Sequence, residues 1–580
     1  MLPKAKSLNL NTPQALNSYV WSICDVLRRS NCAGALQFVP ELSWMLFLRI
    51  LDEREGIEAD EEEMLGGTYE PSLASPYRWR DWAAPYDDKL PDEAYTVAGE
   101  KPQGWKRREL QNGPRNAFLD FVNKTLFPHL KGLRDQPNAT ARQKVISEIL
   151  SSTDRTRVDT EKNLLDVLDM VDAIQEEGID ATHQFPLSQV YEGLLLKMGE
   201  KGNDGGQFFT PREVIRAVVK VVDPEPGETV YDPCCGTGGF LAQAYEHMAV
   251  GELSGDERSR LKNHTFYGRE KENVVFPIAL ASLALHGIDQ PHLWHGNTLT
   301  NQHVYDGLFL SSPDLYNVVL TNPPFGGKEA KAAQSDFDYK TSATQVLFLQ
   351  HVLKSLAPRG RCGIVLDEGV LFRTNEQAFV QTKTKLLNEF DLYCVLSLPG
   401  GAFSGAGAGV KTNVLFFNAG KPTEKIWYYD LSDVKVGKKS PLTLEKFREF
   451  LELLPERVDS ERSWTVDFKA RRATAEVEAK PLHAKAAGLE AEAVRAREAA
   501  KGEGVAGRTG ELLTRASAAE REAREMRGKA KAIEDAVYDL KAVNPNAKAE
   551  KDTRTPTELL DVIEVKGLEV AAALEGLRRL

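Results

Sequence analysis

Apolar residues recur at helical spacing near the start of the chain. Leu16, Val20, Ile23 and Leu27 follow at intervals of four, three and four, and Leu42, Leu46 and Ile50 continue a stripe of the same kind. The spacing predicts amphipathic helices with these residues in a core. Helical periodicity returns over 118–130 and 164–174, so an N-terminal helical domain is expected over about 1–180. Between these stretches an acidic run, 52–63, leads into a loop-like segment rich in Trp, Pro and Gly (Trp79, Trp82, Pro85, Pro91, Gly99, Pro102, Gly104, Trp105). Charge runs usually coat a surface, so this part reads as a solvated, packed-down insertion.

The texture changes after Gly205. Short apolar runs at 229–231, 265–267, 317–320, 363–366 and 392–396 alternate with longer segments of helical pattern. That alternation predicts an α/β domain, a mostly parallel sheet covered by helices, over 185–430. A last strand pair is expected at 392–398 and 412–417, separated by the glycine-rich loop 400–409.

From Ala473 the chain is rich in Ala, Glu, Arg and Lys, and a break at 502–510 divides two long helical patterns. A helical hairpin follows, within a C-terminal helical region over 431–580. Met526, Ile533, Val537 and Leu540 mark one of its faces. After Asn544, Pro545 and Asn546, the trio Thr555, Pro556 and Glu558 signals a new helix: hydroxyl cap, proline in the first turn, carboxylate three residues on. Val570, Leu574 and Leu577 give it an apolar stripe that docks on its own chain or on a partner.

Length and charge narrow the classes. The chain has 580 residues, enough for two to four domains at roughly 150 residues each. It is 42% hydrophobic and 27% charged, which excludes wholesale disorder. No run of about 18 apolar residues is present and the start lacks a signal-peptide core, so no membrane partner and a cytoplasmic location are expected. The six cysteines form no CxxC pair and no zinc spacing, so neither a disulfide framework nor a metal is expected. A net charge of −12 does not supply the positive field of a chain that holds DNA alone.

Candidate chemistry begins with YDPCCGTGGFL (231–241), at the junction of a predicted strand and helix. Gly236, Thr237, Gly238 and Gly239 permit a tight turn and close approach to a ligand, and the helix N-terminus favours an anionic group. Counting G-x-G-x-x-G from Gly236 puts Leu241 at the third glycine position, so this is not the dinucleotide fingerprint. Asp232 at the strand tip can accept from an ammonium group. Glu270, one strand later in FYGREKEN, is a solvated charge on its own but reads with Asp232 as a nucleoside contact to ribose. Asn297, in HGNTL, either bonds a purine edge or caps the next turn.

The predicted strand 317–321 runs straight into NPPF: Asn322, Pro323, Pro324 and Phe325. The Asn322 amide oxygen and the Pro323 carbonyl can both accept from one amino group, and proline adds no competing donor. Phe325 can stack on the ring that carries the amine. All four signals fall at carboxyl ends of strands, where ligands bind in such sheets.

The order YDPCCGTGGFL, FYGRE, HGNTL, TNPPF resembles the amino-group DNA methyltransferases that use S-adenosylmethionine (SAM). Upstream, GGQFFTPREV (205–214) resembles the segment that closes over the methionine part of the cofactor in the adenine-N6 branch. Downstream, LPGGAFSGAGAGVKTNVLFF (398–417) resembles the late hairpin of the modification subunit of type I restriction-modification systems.

The resemblance implies a SAM-dependent, Rossmann-like methyltransferase domain between helical flanks. Asp232 would take the methionine amino group, with Gln207, Phe209, Thr210 and Pro211 flanking it. The 236–239 turn would approach the cofactor closely, Glu270 would take the ribose and Asn297 the cofactor adenine; the family often has Asp at this last position. Asn322, Pro323, Pro324 and Phe325 would hold the target adenine. Cys234 and Cys235 stand where other small residues are frequent, and a cysteine nucleophile belongs to cytosine chemistry with a different Pro-Cys motif. The implied reaction moves a methyl group from SAM to adenine N6 in duplex DNA. The implied partners are DNA, a specificity subunit that chooses the target, served by two copies of this chain, and a restriction subunit. The Met526–Leu540 face and the Val570 stripe are the expected contacts. Methylation of RNA or of glutamine side chains, and a scaffold that has kept only the fold, are the rival expectations.

Overall fold

The computed structural model describes residues 13–30, 32, 34–86, 101–174, 210–403, 411–437, 440–504, 506–541, 543–546 and 555–578. The N-terminal stripe is a core: Val20, Ile23, Leu27, Leu42, Leu46 and Ile50 are all buried. The long helix Ala35–Met64 departs from the expectation, because the acidic run is its second half and not a lead into a loop. Glutamates propagate a helix well, and here basic partners offset their mutual repulsion. Arg49 pairs with Glu53 (2.9 Å) and Arg142 with Glu58 (2.7 Å). The start of the Trp-rich segment is packed into the core, and residues 87–100 of it lie outside the described residues. Trp79 and Trp82 are buried at a tilt to each other, ring centroids 5.7 Å apart, and the Trp79 indole N–H donates to Asp172 (2.8 Å).

The sheet has ten strands: β1 (Val230–Asp232), β2 (Phe266–Glu270), β3 (His292–Asn297), β4 (Gln302–Tyr305), β5 (Tyr316–Thr321), β6 (Leu356–Asp367), β7 (Phe390–Ser397), β8 (Thr412–Ala419), β9 (Lys425–Asp430) and β10 (Ser463–Asp467). Their order is β10-β9-β7-β8-β6-β5-β1-β2-β3-β4. The central run β6-β5-β1-β2-β3 is parallel, and its strands are apolar because helices cover both faces. The expected last pair is present as antiparallel β7 and β8, with Leu396 opposite Val414.

Three strands escaped the sequence reading: β4, β9 and β10. β10 pairs antiparallel with β9, so the sheet continues to Asp467, past the expected edge at 430. Ile426 to Tyr429 are all buried because β9 lies between β7 and β10; a short run apolar on both faces carries no alternation that distinguishes strand from buried helix.

The helical domain sits on the sheet domain through the helix Val275–Leu285, which is buried along nearly its whole length. Phe47, Ile50 and Leu51 meet Ala284, Leu285 and Ile288 there. Arg142 reaches across this seam to Asp289 (3.3 Å).

At the C-terminal end, Phe468–Gly502 and Ala506–Ala536 form the expected hairpin. Gly507 and Gly510 lie inside the second helix, so the break is narrower than expected. Buried alanines recur every seven residues, Ala479, Ala486 and Ala493 facing Ala516, Ala523 and Ala530, which lets the two backbones approach closely. Among the described residues, no helix is long and apolar enough to cross a membrane.

Candidate active site

From β1 the chain builds β2 and β3 on one side, then crosses back to lay β5 and β6 on the other. The connections after β1 and β5 therefore diverge and leave a crevice at the carboxyl ends of the strands. A cavity of about 270 Å³ opens there, and Gly236, Glu270, Asn297, Asn322, Pro324 and Phe325 all line it. Residues as far apart in the chain as Pro233 and Phe348 meet in this crevice.

Asp232 ends β1 just behind the cavity and is 1% exposed. Its Oδ1 accepts from the Thr321 hydroxyl (2.7 Å) and from the Cys234 backbone N–H (3.1 Å). Burial pushes this carboxyl up to about 7, against the opposing pull of those two bonds. The Cys234 thiol lies 3.1 Å from the Thr321 hydroxyl oxygen. Burial raises it well above the ordinary thiol range, which favours the protonated form over the thiolate a nucleophile needs.

Glu270 organises the glycine turn. Its Oε2 accepts from Gly236 N–H (2.9 Å) and its Oε1 from Lys271 and Glu272 N–H (2.8 Å each). These three bonds occupy most of a carboxylate's roughly four acceptor positions and leave capacity on Oε2 for one hydroxyl. Burial holds this group at about 7 as well. Of the two roles the sequence left open, the structure shows the cap: Asn297 Oδ1 accepts from Leu299 N–H (3.0 Å), and the residue also lines the cavity.

The glycines divide. Gly236 lines the cavity, whereas Gly238 and Gly239 serve packing. Gly238 has φ +82°, and a Cβ on Gly239 would come within 2.9 Å of Ile215 Cδ1. Those two approach the neighbouring helices closely, at Leu283 and Ile215. Thr237 is buried beside them.

At β5 the Asn322 Nδ2 donates to Thr210 Oγ1 (3.0 Å). That bond turns the amide so that Oδ1, itself buried, is left as an acceptor with no partner among the described residues. An unmet buried acceptor is costly, and an incoming amino group would satisfy it. The Pro323 carbonyl accepts from Gln345 Nε2 (3.2 Å), a residue that no sequence signal marked. Thr321, next to NPPF, was marked by its position yet also went unread. Phe325 is half-buried, edge-on to Phe403 with centroids 5.3 Å apart. Pro211 starts the helix Arg212–Val222 by accepting from Val214 and Ile215 N–H (2.9 and 3.1 Å). Gln207 and Phe209 lie outside the described residues.

Residues 183–483 match the N-6 DNA Methylase family and residues 16–171 the HsdM N-terminal domain. The methylase subunit of the type I restriction enzyme EcoEI of Escherichia coli is 32% identical over 446 residues, covering 75% of this chain and 82% of that protein. A modification subunit of a type I restriction enzyme from Vibrio vulnificus is similar in structure at 30% identity and a TM-score of 0.63, over 79% of this chain and 93% of that one. A chain from a study of complex assembly and conformational transition in the type I system matches at 31% identity and a TM-score of 0.63 over 98% of both chains. The chain belongs to the N-6 DNA methylase family. Within that family it is an adenine-specific DNA methyltransferase of the type I kind, the modification subunit of a restriction-modification system.

If Phe325 stacks on the target base, Phe325→Tyr and Phe325→Trp keep most activity. Phe325→Ala should lose the roughly 1–3 kcal/mol that base stacking supplies, read in KM for DNA. Equal activity in all three variants would reduce Phe325 to a packing partner of Phe403.

Proposed function

We propose that this crevice binds SAM and an extruded adenine together, and that Asn322 with the Pro323 carbonyl aims adenine N6 at the methyl group. The observation that carries this reading is the unpartnered Asn322 Oδ1, buried at the edge of a cavity that Glu270 and Asn297 also line. SAM, bound there, supplies an electrophilic sulfonium methyl. Asp232 would hold the ammonium group at the tip of β1, Glu270 a ribose hydroxyl, and Asn297 the cofactor adenine. Thr210 and Pro211 would flank the methionine portion, with Gln207 and Phe209 beside them.

The adenine amine is a weak nucleophile because its lone pair is delocalised into the ring. Two acceptors on its N–H groups hold the lone pair toward the methyl carbon and strengthen as the nitrogen becomes tetrahedral. The N–C bond forms as the S–C bond breaks, and N6 then releases a proton. Extruding the base costs a few kcal/mol, which contacts to DNA must offset.

With a net charge of −12, those contacts call for another chain. We infer a specificity subunit as that chain, two copies of this one serving it, and a restriction subunit added to the complex, acting in the cytoplasm. The expected contact at the Met526–Leu540 face needs correction: Met526, Val537 and Leu540 are buried within this chain, and Leu540 N–H donates to Leu371 O (3.1 Å). Val537 and Leu540 join the core of the sheet domain at the base of the hairpin. The terminal helix Pro556–Arg578 is different, because Leu560, Ile563, Leu568 and Val570 are 58–68% exposed on it. Exposed apolar side chains of this kind fit helix-to-helix docking, and this helix is the contact we assign. The side chains of Leu574 and Leu577 lie outside the described part.

Assembled with a specificity subunit, the chain is expected to transfer radiolabel from SAM to adenine N6 in one duplex sequence. Label appearing in RNA or protein pools instead would overturn that substrate. Deleting residues 550–580 should abolish co-purification with the specificity subunit and leave SAM binding by calorimetry intact; a truncated chain that still co-purifies would remove the helix from the interface.

A further inference from the structure

Consecutive prolines leave the NPPF turn stiff but without backbone donors of its own. Pro323 and Pro324 contribute no N–H groups, and their rings lock φ, so ψ of Pro323 is the rotation that aims the Pro323 carbonyl. Pro324 confines that ψ to the extended range, and a hydrogen bond to the carbonyl sets its direction within the range. Gln345, 3% exposed in the first turn of the helix Thr344–Ser355, supplies that bond. Its Nε2 donates to Pro323 O (3.2 Å) and its Oε1 accepts from Asp367 N–H at the end of β6 (3.0 Å). The amide cannot be reversed, since that would set N–H against N–H and carbonyl against carbonyl. The preceding residue ties down the other end of the turn, Thr344 N–H donating to Gly327 O (3.2 Å).

We propose that Gln345 is the positioning residue for methyl transfer: it occupies one lone pair of the Pro323 carbonyl and thereby orients the other toward the target amine. The proposal rests on the reading of Asn322 and Pro323 as the paired acceptors. A carbonyl oxygen has two lone pairs, so one bond to Gln345 leaves one for N6. Asn322 is set by Thr210 from one side and Pro323 by Gln345 from the other. The two acceptors are thus oriented by side chains on separate elements before any substrate arrives, and such preorganisation acts on turnover more than on binding.

The test uses the assembled complex with its specificity subunit, at saturating SAM and DNA. Q345A is expected to lower kcat by about 10- to 100-fold while KM for DNA and the SAM dissociation constant stay within about twofold. Q345E keeps the acceptor for Asp367 N–H but can donate to Pro323 only when protonated. Its kcat should therefore rise as the pH falls from about 8 to about 6, a rise the wild-type complex does not show. A Q345A kcat within twofold of wild type, or a Q345E pH profile like that of wild type, overturns the proposal. Loss of SAM binding in Q345A also overturns it, by assigning Gln345 to the fold. Asn322→Ala serves as the control: if it is inactive while Q345A is fully active, only the role of Gln345 fails, whereas full activity in both variants means the acceptor reading itself is wrong.

Discussion

Methyl transfer by an Asn322→Ala variant is expected to fall by a factor on the order of 10² to 10³, the usual cost of removing one preorganised electrostatic partner of a transition state. Asn322 Oδ1 is a buried acceptor at the cavity with no partner among the described residues. The cofactor should bind almost as before, because Asp232 and Glu270 are held by their own partners, Thr321, Cys234 and the backbone around Gly236. Asn322→Asp keeps an acceptor and should retain a measurable fraction of activity. Methyl incorporation into duplex DNA, with calorimetry for SAM, separates the two effects. Wild-type turnover in Asn322→Ala would sink the assignment.

Asp232→Asn should act in the opposite order, weakening SAM first. A charge-assisted bond between a buried carboxylate and an ammonium group contributes about 1.5–3 kcal/mol, so affinity should drop by roughly 10- to 150-fold. The pH dependence sharpens the test. The Asp232 carboxyl is raised from 3.8 to about 7, so its neutral form is the one the empty fold favours. Its contribution to stability is therefore complete below about pH 4 and is lost as the pH rises through about 7. A ligand ammonium favours the ionised form, so SAM affinity should increase between about pH 6 and pH 8. Glu270 is held at about 7 too and titrates in the same window. Asp232→Asn should remove part of the increase, and the double variant with Glu270→Gln nearly all of it. A flat profile in the wild-type protein would take both carboxylates out of the cofactor site.

The candidate site was legible in the chain because each element of it is local. YDPCCGTGGFL, FYGRE, HGNTL and TNPPF each join a strand end to its turn within a few residues, and the period of the apolar pattern told strands from helices around them. The order of those segments was enough to name the family. Asp232, Glu270, Asn297 and Asn322 needed only the rule that ligands lie at carboxyl ends of parallel strands.

What the local pattern could not carry was pairing between distant segments. The helix that absorbs the acidic run depends on Arg142, more than 80 residues from its partners Glu55 and Glu58. β9 and β10 exist because β7 offers an open edge, a fact written nowhere in their own sequences. The Met526–Leu540 face looked like a docking stripe, since amphipathic periodicity is the same whether the apolar side meets its own chain or another; only the fold showed that Val537 and Leu540 are already covered. By itself, then, the sequence determined the motifs, the family and the strand ends that bear the chemistry, because these follow from neighbours along the chain. The tertiary structure decided which acceptor was left unpaired, that Gly238 and Gly239 serve packing, and that Gln345 orients Pro323, because each depends on contacts among residues the chain holds far apart.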